Sequence, residues 1–258
     1  MSVAAVSGDS GGEGTRALVS VVRALALLDV VSEYPSPVRV ADLARRLGMR
    51  RPRVHQQLVT LVEAGWMERA PGGAYRLTLR ALHVGQAALR QASVDDRLHP
   101  LMERLMHETG EVVSLAVREG DAAVLVHRAE PNHPLSANYR VGTRLSLNTS
   151  ASGRILSAFL DADVRDGLRA AGVTLPDDIE AIRSERFAFA TDGGADGLDA
   201  VAVPLFSAAA PHVIALSVVG PMTRFDARAA TPIVLGAAQE MQQLLTGGDR
   251  PPPIEPTN

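Results

Sequence analysis

Residues 40–77 read VADLARRLGMRRPRVHQQLVTLVEAGWMERAPGGAYRL, and their pattern predicts the architecture of the first third of the chain. Helical spacing of apolar residues predicts a short helix over residues 41–47, which Gly48 ends. Pro52 suits the first turn of the next helix, where its missing N–H removes no hydrogen bond. Two short strands then flank the turn at residues 71–73. The order helix, turn, helix, hairpin predicts a winged helix-turn-helix.

Further helices are predicted on both sides of this stretch. Between Arg16 and Tyr34 apolar residues recur at helical spacing, until Pro35 and Pro37 end the pattern. Another helix, over residues 78–92, follows the hairpin. Small polar residues and glycines at one end of the chain, and prolines at the other, are typical of flexible tails. The predicted organisation has five parts: a tail (1–14), a winged helix-turn-helix domain (15–79), a linker helix (80–92), a second domain (93–247) and a second tail (248–258).

In the second half, the apolar pattern changes from helical spacing to alternation after a helix predicted at residues 97–108. Four predicted strands share this alternation, at residues 111–117, 122–126, 200–205 and 213–219. The parts between them are predicted to be a polar loop (130–150), a mostly helical segment (151–168) and an irregular acidic segment (172–197). Asp226 caps a last predicted helix that runs towards Leu245, with Pro232 delaying or kinking it. These elements predict a mixed α+β domain on an antiparallel sheet.

Charge is distributed unevenly along the chain. All 26 basic residues are arginine, and the formal net charge is −3. Residues 15–92 hold 12 arginines and 5 acids, whereas residues 93–258 hold 14 arginines and 22 acids. A basic first third joined to an acidic remainder indicates a nucleic-acid-binding module fused to a domain of another kind.

Composition excludes several classes of protein. With 258 residues, 46% of them apolar, the chain is long enough for two domains with a substantial core. The absence of cysteine excludes disulfides, iron–sulfur clusters, cysteine nucleophiles and cysteine-based zinc fingers. No apolar run approaches the ~20 residues of a membrane helix, and the N-terminus lacks the features of a signal peptide. We therefore expect a cytoplasmic protein with no membrane association.

The second helix of the motif has one apolar face and one face suited to DNA. With a step of ~100° per residue, Val54, Leu58 and Leu61 share one side, and hydrogen-bonding side chains occupy the other. Arginine reads guanine and glutamine reads adenine in the major groove, and the start of this helix is the end that meets base edges. Arginines at that start and beside the hairpin suit phosphates or the minor groove. The predicted DNA-binding residues are Arg50, Arg51, Arg53, His55, Gln56, Gln57, Thr60, Arg69 and Arg76.

Two other functions fit parts of the sequence. His127, Glu130 and His133 would be the metal ligands of an enzyme that carries a winged-helix module. Their spacing matches no compact zinc signature, and the chain has no G-x-S-x-G nucleophile motif, so we predict no catalytic residue, metal or cofactor. The second alternative is a winged helix that binds protein, which would show no steep salt dependence on nucleic acid.

Residues 20–85 resemble, almost throughout, the winged helix of the IclR family of bacterial transcriptional regulators. The likeness is closest at five places: Arg23-Ala24-Leu25, Leu43-Ala44 with Gly48, Val54-His55 with Leu58 and Leu61, Gly65, and Tyr75-Arg76-Leu77. The family's later motifs follow in order, at Val141-Gly142-Thr143-Arg144-Leu145, Ser152-Gly153-Arg154, Ala202-Val203-Pro204, Ala215-Leu216-Ser217 and Gly220-Pro221. The resemblance covers about residues 16–247.

The resemblance implies a GAF-like effector domain that binds a small molecule, often a carboxylate or an aromatic acid. It also implies a dimer held partly by the N-terminal module, and pairing of dimers into tetramers. The family's pocket lies between the sheet and the loop that leads into the helix at Gly153, where free N–H groups suit an anion. Aromatic residues are only 3% of the chain, which argues against an aromatic-stacking pocket. The implied effector-binding residues are Leu147, Asn148, Thr149, Ala151, Ser152, Gly153, Pro204, Ser217 and Val219.

Two residues depart from the family's pattern. Arg154 stands where the family usually has lysine, which keeps the charge but changes its reach. Gln56 stands where the family usually has arginine, so this chain's operator preference is expected to differ from the family's.

The sequence therefore predicts a sequence-specific DNA-binding regulator, and family habit favours a repressor. Its operator affinity is expected to change when a small-molecule effector binds, most simply an organic acid. The effector would favour one spacing of two winged helices through the helix at residues 78–92, and it can do so only by its differential affinity for the two states.

Overall fold

The computed structural model describes residues 17–91, 97–132, 139–190, 197–207 and 213–246, and these residues fall into two compact units that divide between Gln86 and Ala87. The first unit is a helix-turn-helix followed by a two-stranded hairpin, and the second is a set of helices on an antiparallel sheet. The prediction of a two-domain α+β protein with an N-terminal winged helix-turn-helix is confirmed.

The first unit contains three helices, a hairpin and the start of a fourth helix. In chain order these are α1 (Val19–Ser32), α2 (Val40–Leu47), α3 (Arg51–Glu63), β1 (Met67–Ala70), a 3₁₀ turn (Pro71–Gly73), β2 (Ala74–Leu77) and α4 (Arg80–Gln91). Leu27, Leu43, Val54 and Leu58 are fully buried and join the helices into one core. Gly48 ends α2 in the left-handed conformation, with φ of 62°, which turns the chain into α3.

The second unit is built on a six-stranded sheet. Its elements are α5 (His99–Thr109), β3 (Val112–Glu119), β4 (Ala122–Ala129), β5 (Arg144–Ser146), α6 (Ala151–Ala158), α7 (Ala162–Ala170), α8 (Ile179–Glu185), β6 (Ala188–Phe189), β7 (Leu198–Phe206), β8 (Val213–Pro221) and α9 (Ala227–Leu245). The strand order is β5-β4-β3-β8-β7-β6, and every neighbouring pair is antiparallel.

The two faces of this sheet carry different side chains. Large residues such as Leu115, Val203 and Leu216 point to one face and pack with α5 and α9. Alanines such as Ala116, Ala202 and Ala215 point to the other face and pack with α6 and α8. Because alanine is small, α6 can lie close to the sheet on this second face, and the candidate ligand site is on that face.

Four details of the second unit differ from the sequence prediction. The predicted helix over 151–168 is two helices, α6 and α7, because Arg183 donates hydrogen bonds to the carbonyls of Ala158 and Leu160 where α6 ends. The irregular segment contains α8 and β6, and the polar loop contains β5. The last helix begins at Ala227, so Pro232 does not delay its start.

Candidate functional site

The surface of α3 divides by residue type as the helical pattern predicts. Val54, Leu58 and Leu61 are buried, while Arg53 and Gln56 are exposed on the opposite side. His55 and Thr60 are also exposed, and the Thr60 hydroxyl donates to the carbonyl of Gln56 (3.1 Å). Gln57 is half-buried, and its Oε1 has no hydrogen-bond partner among the described residues.

The start of α3 concentrates positive charge. Arg50 is the N-cap residue but makes no capping hydrogen bond, and Arg51 and Arg53 occupy the first turn, which holds no acid. Cations at a helix N-terminus oppose the helix dipole. This arrangement therefore lowers the free energy of unfolding by about 0.3–1 kcal/mol per charge. An external polyanion removes that repulsion, and DNA is such a polyanion.

The exposed arginines that the structure describes in the first unit fall into two groups. Arg45, Arg46 and Arg76 each bind a carboxylate of the unit, at 3.1 Å from Asp42, 2.8 Å from Glu33 and 2.6 Å from Glu68. The hydrogen bond from Arg46 to Glu33 raises the pKa of that guanidinium above its usual value. Arg80 donates to the carbonyl of Ala64 at 2.8 Å. In contrast, five exposed arginines make no hydrogen bond or ion pair with any described residue: Arg39, Arg50, Arg51, Arg53 and Arg69.

This division refines the predicted DNA-binding set. Arg76 is exposed beside the hairpin as predicted, but Glu68, its neighbour across the hairpin, neutralises it. Arg39 was not selected from the sequence, although it stands at the N-cap of α2, where no capping hydrogen bond forms. An arginine at a position that favours serine, threonine or aspartate was the signal available in the sequence.

A cavity of about 300 Å³ lies on the alanine-rich face of the sheet in the second unit. The strands β3, β7 and β8 form its floor, and β5 with the start of α6 forms its wall. The lining residues are Ser114, Leu125, Tyr139, Arg144, Leu145, Ser146, Thr149, Ser150, Ala151, Ser152, Ala190, Leu198, Ala200, Ser217 and Val219. The cavity therefore combines an apolar wall with hydroxyl groups.

The hydroxyls of the floor come from two adjacent strands. Ser114 on β3 pairs directly with Ser217 on β8, and both residues are buried. The Ser217 hydroxyl donates a long hydrogen bond (3.5 Å) to the carbonyl of Ser114. The hydroxyl of Ser114, and that of Ser152 on α6, have no partner among the described residues. Such groups can bind a polar ligand atom that enters the cavity.

The N-terminus of α6 faces the cavity and is only partly capped. The Ser150 hydroxyl accepts a hydrogen bond from the N–H of Gly153 (3.0 Å) and donates to the carbonyl of Ser146 (2.7 Å). The N–H groups of Ala151 and Ser152 have no partner among the described residues, although both residues are buried. Free N–H groups at a helix start, with its positive potential, suit a carboxylate or another small anion.

Five of the nine residues implied for effector binding line this cavity: Thr149, Ala151, Ser152, Ser217 and Val219. Leu147 is a core residue, and Asn148, Gly153 and Pro204 are also outside the lining. Gly153 has a packing role, since an added Cβ would lie 2.0 Å from the carbonyl oxygen of Ser146. Pro204 pairs with Ala215, further along the same face of the sheet.

Sequence reasoning missed five polar lining residues: Ser114, Tyr139, Arg144, Ser146 and Ser150. Ser114 lies 103 residues before Ser217, and only the register of β3 against β8 brings them together. Tyr139 lies in the segment predicted as a polar loop. Arg144 belongs to a motif that the resemblance had identified, and its side chain binds Asp121 (2.8 Å) at the cavity rim.

The alternative metal site is not assembled in the described part of the chain. His127 lies beside His99, with Nε2 and Nδ1 3.0 Å apart, and Glu130 binds Arg128 at 2.8 Å. His133 lies outside the described residues. Among the residues that the structure describes, no group of three His, Cys, Asp or Glu could hold a metal ion. In the described residues, no helix has the length and apolar character to cross a membrane.

Relatives of known function cover nearly the whole chain. HTH-type transcriptional regulator BhcR of Paracoccus denitrificans (strain Pd 1222) is 31% identical over 252 residues, covering 91% of this chain and 90% of that protein. Transcriptional repressor IclR of Escherichia coli (strain K12) is 26% identical over 250 residues, covering 90% and 91% of the two chains.

Solved structures agree in fold. A crystal structure of an IclR homolog from Microbacterium hydrocarbonoxydans, in complex with 4-hydroxybenzoate, is 25% identical, with a TM-score of 0.72 over 88% of this chain and 98% of that one. A putative ICLR transcriptional regulator from Silicibacter sp. TM1040 has a TM-score of 0.74 at 24% identity, covering 92% of this chain and 100% of that one.

Two family models match consecutive parts of the chain. The IclR helix-turn-helix domain matches residues 20–71, and the model described as bacterial transcriptional regulator IclR C-terminal matches residues 86–244. The first match contains α3, and the second contains every residue that lines the cavity. The chain therefore belongs to the IclR family of bacterial transcriptional regulators.

Proposed function

We propose that this regulator is a repressor that reads its operator with the exposed face of α3 and responds to a small carboxylate bound in the 300 Å³ cavity. The observation that carries the proposal is the group of arginines at the start of α3 that have no partner among the described residues. Arg50, Arg51 and Arg53 are exposed and make no contact with a described acid. Base and phosphate contacts of DNA would supply the missing partners.

The residues of α3 have separate roles in this proposal. Arg53 and Gln56 are exposed opposite the buried face, so they reach base edges when the helix enters the major groove. Arg50 and Arg51 lie at the helix start and bind phosphates, which fix the register of the helix on the duplex. Arg76 contributes less because Glu68 already neutralises it.

The cavity suits a small acid. Its volume is near the lower end of the range for ligand pockets, about 300–1,000 Å³. The N–H groups of Ala151 and Ser152 would bind the carboxylate, and the hydroxyls of Ser114 and Ser217 would bind a second polar group. The complex of the Microbacterium homolog with 4-hydroxybenzoate supports a carboxylate of this size.

The first unit also carries a surface for a second copy of the chain. Leu18, Val21, Val22 and Leu25 follow the spacing i, i+3, i+4, i+7, and all four are exposed, whereas Leu27 is buried in the core. An exposed apolar stripe of this kind marks an interface. A dimer would present two copies of α3 to two half-sites, as helix-turn-helix proteins commonly do.

Coupling between effector and operator would be a shift of population. The dimer would have two states that differ in the spacing between the two copies of α3, and the acid would bind one state more tightly. Its effect on operator affinity would be limited by the difference between its binding free energies for the two states. The helix α4 is the element that crosses the boundary between the two units, so we assign the coupling to it. The site of action is the cytoplasm, where the operator DNA lies.

The test is selection of genomic DNA fragments by the purified full-length chain across a salt series. We expect enrichment of a partly palindromic site, with affinity that falls steeply as salt rises. The triple variant Arg50→Ala, Arg51→Ala, Arg53→Ala should lose this enrichment and keep its thermal unfolding transition. Equal enrichment by the variant would overturn the proposal. The absence of enrichment by the wild type, both with and without 4-hydroxybenzoate, would also overturn it and favour a protein partner.

A further inference from the structure

The turn at the tip of the wing has a cation from outside the hairpin beside it, in addition to Arg69 in β1. The turn Pro71–Gly73 carries no polar side chain, and Arg76 of β2 is bound to Glu68 of β1. The guanidinium of Arg39 lies beside this turn, since its Nη2 is 3.8 Å from the position that a Cβ on Gly72 would occupy. Arg39 thus reaches the wing tip from the start of α2.

The backbone holds Arg39 against the hairpin. Its neighbour Val38 forms a bridge with Tyr75 of β2, with the two N–H to carbonyl hydrogen bonds both 2.9 Å long. Val38 and Tyr75 are both buried, so this attachment is part of the core. The side chain of Arg39, in contrast, is exposed and makes no hydrogen bond or ion pair with a described residue.

The turn beside Arg39 has an unusually bare surface. Gly72 and Gly73 have φ of 74° and 73°, in the left-handed region that side chains disfavour, so glycine is needed at both. With no Cβ at either position, a sugar–phosphate edge can approach the backbone of the turn closely. An arginine anchored at such a turn can then extend past that edge into the groove.

We propose that Arg39 and the turn Pro71–Gly73 form a minor-groove-binding element, separate from the base-reading face of α3. A narrow, A·T-rich minor groove has an enhanced negative potential that attracts arginine. The element would therefore read groove width beside each half-site. The proposal rests on the DNA-binding function proposed above and adds a preference that α3 does not supply.

The experiment compares Arg39→Ala, Arg39→Lys and the wild type on one selected operator with three flanks, of A·T, G·C or inosine·C pairs. Inosine·C keeps the major-groove pattern of G·C but lacks the guanine N2 amino group, so its minor groove resembles that of A·T. Wild-type affinity should be about tenfold higher with A·T or inosine·C flanks than with G·C flanks. Arg39→Ala should bind all three duplexes equally, and Arg39→Lys should keep only part of the preference.

Arg45→Ala is the matched control, because Arg45 is also an exposed arginine, lies in α2 and is already paired with Asp42. It should stay within about twofold of wild type on every duplex. An equal loss of affinity by Arg39→Ala on all three flanks would identify a phosphate contact and overturn the inference. It would also be overturned if the wild type bound all three flanks with equal affinity, or if Arg39→Ala bound DNA no more weakly than Arg45→Ala. Each of those results would leave the proposed DNA binding by α3 in place. A wild-type protein that selects no DNA, in contrast, would overturn both the proposed function and this inference.

Discussion

Helices α3 and α6 both start with backbone N–H groups that have no partner inside the helix. In α3 the N-cap is Arg50, no side chain caps the helix, and two more arginines occupy an exposed first turn. In α6 the N-cap is Ser150, which accepts from the N–H of Gly153, and the first turn is buried and uncharged. The positive potential of the helix start is thus joined by added cations in α3, whereas in α6 it lies at a partly capped start that faces a cavity.

The difference separates two ways of binding an anion. The α3 start is unfavourable by itself, and long side chains extend its charge to a polyanion outside the protein. The α6 start offers the partial charge of its backbone N–H groups and borders a cavity of about 300 Å³, a volume that suits a small anion. Substitutions at the two helix starts should therefore affect different properties of the protein.

The largest effect is expected at Gly153. Its Cβ would lie 2.0 Å from the carbonyl oxygen of Ser146 and 2.7 Å from the Cα of Leu147, and both are backbone atoms that cannot move aside cheaply. Gly153→Ala should lower the free energy of unfolding of the second unit by about 3 kcal/mol. Urea denaturation followed by circular dichroism measures this change.

Gly167→Ala is the control for that variant. Gly167 lies within α7, with open space around its Cβ position, so alanine should stabilise the chain by about 0.5–1 kcal/mol. The chain has a single tryptophan, Trp66, in the first unit, and its fluorescence should report an unchanged midpoint in both variants. Equal stability of the two glycine variants would contradict the close approach of α6 to β5.

An intermediate effect is expected on the base-reading face of α3. Arg53→Ala and Gln56→Ala should each weaken operator binding by about 1–3 kcal/mol and relax sequence preference at one position. Arg45→Ala should change affinity by less than ~0.5 kcal/mol, because the arginine it removes is exposed and already neutralised by Asp42. Selection of randomised operators by each variant measures both quantities. An unchanged sequence preference in both α3 variants would remove these residues from base readout.

The first unit was predictable because its signals are local. The apolar spacing of α3, the glycine after α2 and the turn at 71–73 each act within a few residues, so the helix-turn-helix and its wing follow from the sequence. In α1, Leu18, Val21 and Leu25 also give the helical pattern, but their side chains are exposed. Periodicity identifies a helix, and it does not say whether its own core or another chain covers the apolar stripe.

The second unit was less predictable because distant residues shape it. The break after α6 depends on Arg183, 25 residues beyond the Ala158 carbonyl that it binds. The short strand β6 forms its hydrogen bonds with β7, and it lies in a segment whose sequence shows no regular apolar pattern. The cavity floor likewise needs Ser114 and Ser217 in register, a pairing that no local pattern encodes.

The smallest effect, and the sharpest test of the comparison, is expected from Arg50→Ser. Serine at this N-cap can accept a hydrogen bond as Ser150 does in α6, and the substitution removes a cation that opposes the helix dipole. The variant should gain about 0.5–1 kcal/mol in the free energy of unfolding, read from Trp66 fluorescence in urea. Because a phosphate contact is lost, the slope of log affinity against log salt should fall by about one. A variant that is more stable and binds DNA with an unchanged slope would show that Arg50 contacts no phosphate, and the arginines of this helix start would then not act as one anion-binding group.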